Sequence, residues 1–263
     1  MAKVFLSAGH GGTDPGAVAY GLKEKDINLN IMLACRDELK RHGVTVVCSR
    51  TKDEDDPVGQ EVKEANESGA DIAVSCHINA GGGDGFEAFY HTSNKNAKKL
   101  AGLGEKYVKE LGQNSRGLKS GNHLYFIKNT NMLAVLFECF FIDNDKDNNI
   151  GDTVAEQKKF GVAYAKAILE YLGIEYKKAE TKKEAPKTSE YKVKIKVDSL
   201  NVRAKATVDS KVKGVITKND KLVKLRPGYY FKDVVYTITK ESNGWGMLKS
   251  GIGWINLAYT KRV

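Results

Sequence analysis

Two histidines in this chain lie directly after apolar segments that predict β-strands. His10 follows the run Val4 to Leu6 after a short turn, and His77 comes at the end of the run Ile72 to Cys76. Sites of open α/β sheets form at the edge where strands end, so we expect the two imidazoles to meet there. Neutral imidazole binds zinc, and a catalytic zinc ion typically keeps three protein ligands and one open position for water. The two histidines therefore predict a zinc-hydrolase site that needs a third ligand.

An acidic side chain is the expected third ligand. Glu24 lies just before an amphipathic segment, and we select it for this role. Asp26 in the same segment and Asp14 in the loop after His10 remain alternatives, because spacing alone does not exclude them. A carboxylate combined with two imidazoles is an established ligand set of catalytic zinc. The expected metal ligands are thus His10, Glu24 and His77.

A further carboxylate interrupts an apolar run. Glu138 lies within Val135 to Phe141, where an unpaired buried carboxylate would be costly. Either an ion pair or a functional site must therefore accompany it, and we favour a site in which Glu138 is the general base. Cys76, the neighbour of His77, is not expected to form a nucleophilic dyad with it, because adjacent strand residues point to opposite faces.

The order of the predicted elements indicates an α/β fold followed by an all-β region. Strands interleaved with helices predict a mixed, mostly parallel twisted sheet flanked by helices. The predicted strands are Val4 to Leu6, Val44 to Cys48, Ile72 to Cys76, Phe86 to Tyr90, Leu124 to Ile127 and Ala134 to Phe137. The predicted helices cover about 26–41, 58–68, 95–112 and 153–172.

A polar segment separates two predicted domains. Residues 175–190 are rich in Lys, Glu, Thr and Ala without an apolar period, which is typical of a linker. We therefore expect a catalytic domain over 1–174 and a small all-β barrel over 191–263. Short strands with turn signals predict this barrel, one of them at Lys221 to Leu225. Four aromatic residues are expected in its core, with a sugar-binding role as the alternative: Tyr229, Tyr230, Trp245 and Trp254.

The charge of the chain is concentrated in its C-terminal part. Residues 1–174 contain 21 Lys and Arg against 24 Asp and Glu, whereas residues 187–263 contain 17 against 6. A basic domain suits polyanions, but no zinc-finger, RRM or KH motif supports a nucleic-acid partner. No segment approaches the roughly 18 to 20 apolar residues that span a membrane, so membrane insertion is not expected.

The four cysteines and the first residues bear on the compartment of synthesis. Cys35, Cys48, Cys76 and Cys139 fall in apolar patterns without a Cys-x-x-Cys motif, which favours reduced core thiols. The N-terminal residues lack the basic, apolar and small-residue pattern of a secretory signal. We therefore expect synthesis in the cytoplasm without a signal peptide.

Several motifs in roughly the first 174 residues together resemble the type 3 N-acetylmuramoyl-L-alanine amidases, which cut bacterial peptidoglycan. The family's opening strand and Gly-His-Gly turn match Val4 to Gly12, and its acidic ligand matches Glu24. Its His-x-Asn-Ala strand end matches His77 to Ala80, and its catalytic-glutamate strand matches Val135 to Asn144. His123 is not part of this pattern, so its role is open.

The resemblance implies a cofactor, a substrate and a mechanism. It implies Zn2+ and hydrolysis of the amide between the lactyl group of N-acetylmuramic acid and L-alanine. Zinc would polarise the carbonyl and activate water, while Glu138 would accept a proton from that water and return it to the leaving amine. Arg50 and Asn79 are expected to bind substrate or to support the ligands.

The C-terminal region resembles bacterial SH3-like domains, which commonly bind cell walls. Ser199 to Ala204 matches their opening strand, and Gly244 to Met247 with Gly251 to Ile255 matches their closing hairpin. Peptidoglycan and anionic wall polymers are thus the expected partners. The sequence does not fix the oligomeric state.

This combination of a wall hydrolase, a wall-binding region and no export signal is similar to phage endolysins, which reach the wall after release from the cytoplasm. A mother-cell or sporulation-associated wall amidase is an alternative. Two further alternatives are a zinc peptidase or deacetylase on the same scaffold and a wall-binding protein without activity.

Overall fold

The computed structural model describes residues 2–178, 190–217 and 235–263. The chain divides into two compact units, Met1–Lys178 and Ala179–Val263. The expected strand Lys221 to Leu225, Tyr229, Tyr230 and most of the expected linker lie outside the described residues. The domain bounds inferred from the sequence stay predictions.

A six-stranded mixed sheet forms the centre of the first unit. The strands of this unit are β1 (Lys3–Ala8), β2 (Val18–Ala19), β3 (Leu22–Lys23), β4 (Thr45–Cys48), β5 (Ile72–Asn79), β6 (Phe86–Tyr90), β7 (Ser115–Ser120) and β8 (Leu133–Phe141). The order in the sheet is β4-β1-β5-β8-β6-β7, and β2 and β3 pair separately as a hairpin. The first four strands are parallel, whereas β6 is antiparallel to β8 and β7 is parallel to β6. The carboxyl ends of β1, β5 and β8 and the amino ends of β6 and β7 therefore share one edge, called the catalytic edge below.

Helices cover both faces of this sheet. They are α1 (Glu24–Arg41), α2 (Val58–Glu67), α3 (Lys95–Lys109), α4 (Tyr125–Asn129), α5 (Asp145–Gly151) and α6 (Val154–Tyr171). Val4 and Leu6 of β1 pack in a core cluster with residues of α1, α3 and α6, whereas Phe5 packs in a second cluster with α2 and α4. Successive strand residues point to opposite faces, so β1 contributes to both clusters. The predicted fold class is confirmed.

Local sequence signals explain where the longest helices begin and end. Thr153 and Glu156 form a capping box that satisfies backbone donors at the start of α6. Asn94 caps α3 through its side chain. After α1, Gly43 adopts a positive φ of 77°, as expected for a residue that ends a helix.

One predicted strand is wrong. Leu124 to Ile127 does not form a strand, because Tyr125–Asn129 is the short helix α4 and His123 lies in the turn before it. Phe126 and Ile127 are buried in the second core cluster from this helix. The outer strand of the sheet is instead β7, whose polar sequence SRGLKS lacks the apolar alternation of a half-buried strand.

The second unit contains an antiparallel sheet. Its strands are β9 (Tyr191–Ile195), β10 (Ser199–Arg203), β11 (Val212–Thr217), β12 (Tyr236–Ser242), β13 (Trp245–Leu248), β14 (Trp254–Asn256) and β15 (Thr260–Arg262). Their order is β11-β10-β14-β13-β12-β9-β15. Val193, Val202 and Ile238 lie in its core, and Trp245 is buried as predicted, whereas Trp254 is only partly buried. The predicted all-β character of this region is confirmed.

The described residues contain no helix with the length and apolar character needed to cross a membrane.

Candidate active site

The turn after β1 places His10 at the catalytic edge. Gly9 donates a backbone hydrogen bond to the Cys76 carbonyl of β5 at 3.1 Å. His10 then adopts a left-handed φ of 65°, which costs free energy for a residue other than glycine. Paired backbone hydrogen bonds between Gly11 and Asp14, at 2.9 and 3.0 Å, hold this turn. Gly9 has no substitute there, because a Cβ atom would overlap the ring of His77.

Glu24 is the first residue of α1, and its carboxylate lies between the two imidazoles. Its Oε1 is 3.1 Å from Nδ1 of His77 and 3.3 Å from Nε2 of His10. The backbone N–H groups of Ile78 and Ala17 donate to Oε1 and Oε2 at 3.1 and 2.9 Å. Both carboxylate oxygens are therefore fixed by partners from separate segments.

These three side chains form one compact cluster. The ligand atoms of His10, Glu24 and His77 all lie within 4.8 Å of one another, and the two imidazole rings meet edge to face with centroids 5.2 Å apart. The two alternative carboxylates lie elsewhere: Asp26 is exposed on α1, and Asp14 contacts the far nitrogen of His10, Nδ1, at 2.7 Å. Asp14 thus orients His10 in the way that supporting carboxylates orient metal-binding histidines.

The charges within the cluster stabilise one another. Burial opposes ionisation of Glu24, but hydrogen bonds from His10 and His77 outweigh it and hold the pKa of this carboxyl far below its usual range. The hydrogen bond to Glu24 raises the pKa of His10 to about 9, against the opposing effect of burial. For His77, burial lowers the pKa, but the hydrogen bond to Glu24 and the charges of neighbouring carboxylates outweigh burial. The pKa of His77 is therefore raised above its ordinary value.

Glu138 lies beside this cluster and is bonded differently. It pairs in register with His77 of β5 on one side and with Glu87 of β6 on the other. Its Oε2 atom is buried and has no hydrogen-bond partner in the described part of the chain. Burial raises the pKa of Glu138 to about 7, against the charge of His77, which lowers it. No ion pair to Glu138 exists among the described residues, so the alternative structural explanation finds no support there.

Arg50 and Asn79 lie close to the cluster with most of their polar groups engaged. Arg50 is only 2% exposed and donates to the backbone carbonyls of Ala8 and Lys25 at 2.9 and 2.7 Å. It thereby ties the end of β1 to the start of α1. Asn79 donates from Nδ2 to Glu87 at 2.9 Å and accepts from its neighbour's backbone N–H. A substrate-binding role for either residue stays a prediction.

A polar group on β6 and β7 was not predicted from the sequence. Glu87 is buried at the catalytic edge, and Arg116 and Lys119 of β7 approach its Oε1 at 2.8 and 3.9 Å. The available signal was Glu87 itself, a carboxylate inside the apolar run Phe86 to Tyr90. Its partners could not be identified because β7 was not predicted.

An α/β sheet that gathers two imidazoles and an ionised carboxylate at one edge, with an unpaired carboxyl beside them, has the side chains of a metal-assisted hydrolase. Comparison with known proteins gives the class a name. A family model described as N-acetylmuramoyl-L-alanine amidase matches residues 4–170. The chain belongs to this family, as the resemblance implied.

Two curated relatives differ in how much of the chain they match. The N-acetylmuramoyl-L-alanine amidase CwlM of Bacillus licheniformis is 37% identical over 56% of this chain, which spans 59% of the relative. The endolysin of Bacillus phage SPP1 is 34% identical over 86% of this chain and 94% of its own length. The similarity to the endolysin therefore extends beyond the first unit.

A solved structure supports the fold of the first unit. The catalytic domain of CwlV, an N-acetylmuramoyl-L-alanine amidase from Bacillus (Paenibacillus) polymyxa var. colistinus, matches with a TM-score of 0.62 and 32% identity. The match covers 66% of this chain and all of the CwlV domain.

Proposed function

We propose that the chain is a zinc-dependent amidase that hydrolyses the bond between N-acetylmuramic acid and L-alanine in peptidoglycan. The observation that carries this proposal is the convergence of His10, Glu24 and His77 within 4.8 Å, beside the unpaired carboxyl of Glu138. Membership of the amidase family supports the substrate.

The donor set of the cluster fits zinc. Two imidazole nitrogens and one carboxylate oxygen are a known three-residue set for catalytic zinc, whereas calcium and magnesium prefer oxygen ligands alone. Asp14 occupies Nδ1 of His10 and leaves Nε2 directed toward Glu24. Metal binding would displace the protons that His10 and His77 share with Glu24, since only neutral imidazole is a ligand.

Each residue then has a defined part in the reaction. When bound, zinc supplies a Lewis acid for the scissile carbonyl and lowers the pKa of water toward ~7. Glu138 accepts the proton of the attacking water and returns it to the nitrogen of the leaving L-alanyl peptide. Burial raises the pKa of Glu138, which makes this carboxylate a stronger proton acceptor than an exposed one.

Arg50 and Asn79 support this arrangement in the proposal. Arg50 fixes the backbone on which His10 and Glu24 are placed, and Asn79 fixes Glu87 next to Glu138. Part of the Asn79 side chain stays accessible and can meet substrate at the end of β5.

We assign a wall-binding role to residues 191–263, as an SH3-like domain. The basic charge of this region suits anionic wall polymers, and its antiparallel sheet is compatible with the assignment. An endolysin is the proposed role, and a mother-cell or sporulation-associated amidase is the alternative, since relatives of both kinds match more than three quarters of this chain. Peptidoglycan and anionic wall polymers are the proposed partners.

One assay separates the candidate activities. Purified peptidoglycan treated with the protein should release new L-alanine amino termini. New reducing sugars, new acetate or other amino termini would identify a glycosidase, a deacetylase or a peptidase, and no product at all would indicate a wall-binding protein without activity. Under metal-replete conditions the purified protein should contain one tightly bound zinc ion per chain.

The role of the second unit can be tested by division of the chain. A fragment of residues 1–178 should cleave soluble muropeptides at the full rate but act more slowly on whole walls. The fragment 190–263 should sediment with walls without cutting them, and salt at 0.1 to 0.15 M should weaken part of this binding, because charges are screened over ~8 to 10 Å. If the second fragment does not bind walls and the first binds fully, the assignment of wall binding is wrong.

A further inference from the structure

A row of side chains extends along the catalytic edge from the metal-ligand cluster to the outer strand. His77 of β5, Glu138 of β8 and Glu87 of β6 are direct partners across neighbouring strands. Arg116 of β7 lies at the irregularity in the pairing of β6 with β7, and its Nε donates to Oε1 of Glu87 at 2.8 Å. The row thus continues beyond the proposed base to a guanidinium group that the mechanism does not use.

Arg116 is held in place at one end and open at the other. Its guanidinium lies over the ring of Phe141, 5.2 Å from the centroid, and its side chain is 45% exposed. In the described part of the chain, its two terminal nitrogens have no hydrogen-bond partner. A guanidinium fixed through Nε and by ring stacking keeps its terminal nitrogens free to bind a planar carboxylate with two parallel hydrogen bonds.

Glu87 cannot itself neutralise this group. Oε1 of Glu87 is shared by Arg116 and by Lys119, whose Nζ is 3.9 Å away, and Oε2 accepts from Asn79 at 2.9 Å. Two cations therefore face one carboxylate, which leaves one excess positive charge. Lys119 is 41% exposed, so this charge is open to a ligand. Arg116 and Lys119, supported by Glu87, form what we call the carboxylate subsite.

The spacing of the strands gives the distance at which a ligand group would be met. Neighbouring strands lie about 4.8 Å apart, so the position of Arg116 is two strands, or roughly 10 Å, from that of Glu138. An extended peptide covers about 3.3 to 3.6 Å per residue. A peptide that leaves the scissile amide along this row would reach the subsite about two to three residues later.

We propose that the carboxylate subsite binds a carboxylate of the leaving L-alanyl peptide. The enzyme would then be selective for substrates whose peptide carries this free carboxylate. This inference rests on the proposed amidase function, in which the leaving group is an L-alanyl peptide. Two sources supply the same chemistry, an internal acidic residue of the peptide and its C-terminal carboxylate.

The test uses the full chain, zinc-loaded, and three soluble N-acetylmuramoyl-L-alanyl peptides. One has all carboxylates free, one is amidated at the internal carboxylate, and one is amidated at the C-terminus. For the wild-type protein, amidation at the recognised position should lower kcat/KM roughly 10- to 100-fold, as expected for the loss of a hydrogen-bonded charge pair. The position that matters identifies the source. If neither amidation changes kcat/KM, the proposal is wrong, whatever the variants do.

Variants show whether Arg116 is responsible. Arg116→Gln should lose the same factor on the free acid and become indifferent to amidation, whereas Arg116→Lys should recover part of the preference. The matched control is Lys98→Gln, a substitution of an exposed cation on α3, which should behave like wild type. If Arg116→Gln loses activity equally on all three substrates, Arg116 merely supports Glu87 and the proposal fails.

The double variant Glu87→Gln/Arg116→Gln removes both partners of this partly buried ion pair, so that no unpaired charge is left to disturb folding. It should also be indifferent to amidation, and a retained preference for the free acid would overturn the proposal. If no substrate yields an L-alanyl peptide with any protein, the amidase function itself is wrong, which is a different outcome.

Discussion

Two neighbouring parts of the catalytic edge hold carboxyl groups in opposite states. On the side of β1 and α1, every oxygen of Glu24 has a partner, and its pKa lies far below the usual range. On the side of β8, Oε2 of Glu138 has none among the described residues, and burial raises its pKa to about 7. Burial is substantial at both positions, so it is the hydrogen-bond donors that distinguish them. A carboxylate with donors remains ionised and suits a ligand, whereas one without donors can exchange a proton.

The largest effect should follow from loss of a ligand. His77→Ala removes one imidazole of the cluster, so we expect no tightly bound zinc and a loss of activity by several orders of magnitude. Zinc content per chain and release of L-alanine amino termini measure the two effects. The control is His123→Ala, because His123 is exposed and its ring meets that of Phe89 edge to face, away from the cluster.

The same measurement tests the choice of carboxylate. Glu24→Ala should lose zinc, whereas Asp26→Ala should keep it, because Asp26 is exposed on the outer side of α1. The reverse result would show that the ligand was assigned to the wrong residue.

Glu138→Gln should separate binding from chemistry. The amide keeps the shape of the side chain but cannot accept a proton, so turnover should fall about 10²- to 10⁴-fold while zinc remains bound. Single-turnover rates at measured zinc occupancy provide the test. A variant with near wild-type turnover and full occupancy would remove Glu138 from the mechanism.

Asp14→Asn should have a smaller effect on the ligand side. Asp14 lies 2.7 Å from Nδ1 of His10 and fixes the ring, so its loss should lower zinc affinity about 10- to 100-fold. Competition with a chelator of known affinity measures this change. Asp26→Asn is the matched control, and an equal loss of affinity in both variants would mean that Asp14 acts only through general charge.

The smallest effect concerns stability and has the opposite sign. The pKa of Glu138 is raised from 4.5 to about 7, so the unfolded chain loses this proton first as pH rises. The free energy of unfolding therefore falls as the pH rises from 4.5 to about 7. Glu138→Gln has no proton to lose, so the free energy of unfolding of this variant does not fall for that reason. The metal-free variant should be about 1 to 3 kcal/mol more stable than wild type at pH 8 and no more stable at pH 4. Urea unfolding in the presence of a chelator checks this, and equal curves at pH 8 would contradict it.

Site residues could be predicted from the sequence where they interrupt or end a regular apolar pattern. His10, His77 and Glu138 were found because each interrupts or ends an apolar strand, and the structure brings all three to one edge. The ligand choice between Glu24, Asp26 and Asp14 depends on where a side chain turns at the start of α1, which spacing does not encode. The structure places Glu24 inside and Asp26 outside.

The parts that the sequence did not predict depend on contacts between distant segments. Leu124 to Ile127 has strand-like composition, but Tyr125–Asn129 forms a short helix. This helix places Phe126 and Ile127 in the second core cluster. β7 is an outer strand with polar residues, so no local pattern revealed it. The carboxylate subsite depends on the register of β7 with β6, and it was missed for that reason.

The position of β8 has a consequence for the order in which the enzyme is made. The three proposed zinc ligands all precede residue 80, whereas Glu138 lies on β8, which is the last strand of the first unit in chain order and so is synthesised last. That strand is central in the sheet, and β5 and β6 are joined only through it. At ribosomal rates of about 5 to 20 residues per second, the proposed base emerges several seconds after the proposed ligands. A nascent or truncated chain that ends before β8 therefore has neither a continuous sheet nor a proton acceptor, and hydrolysis is among the last properties that the growing first unit acquires.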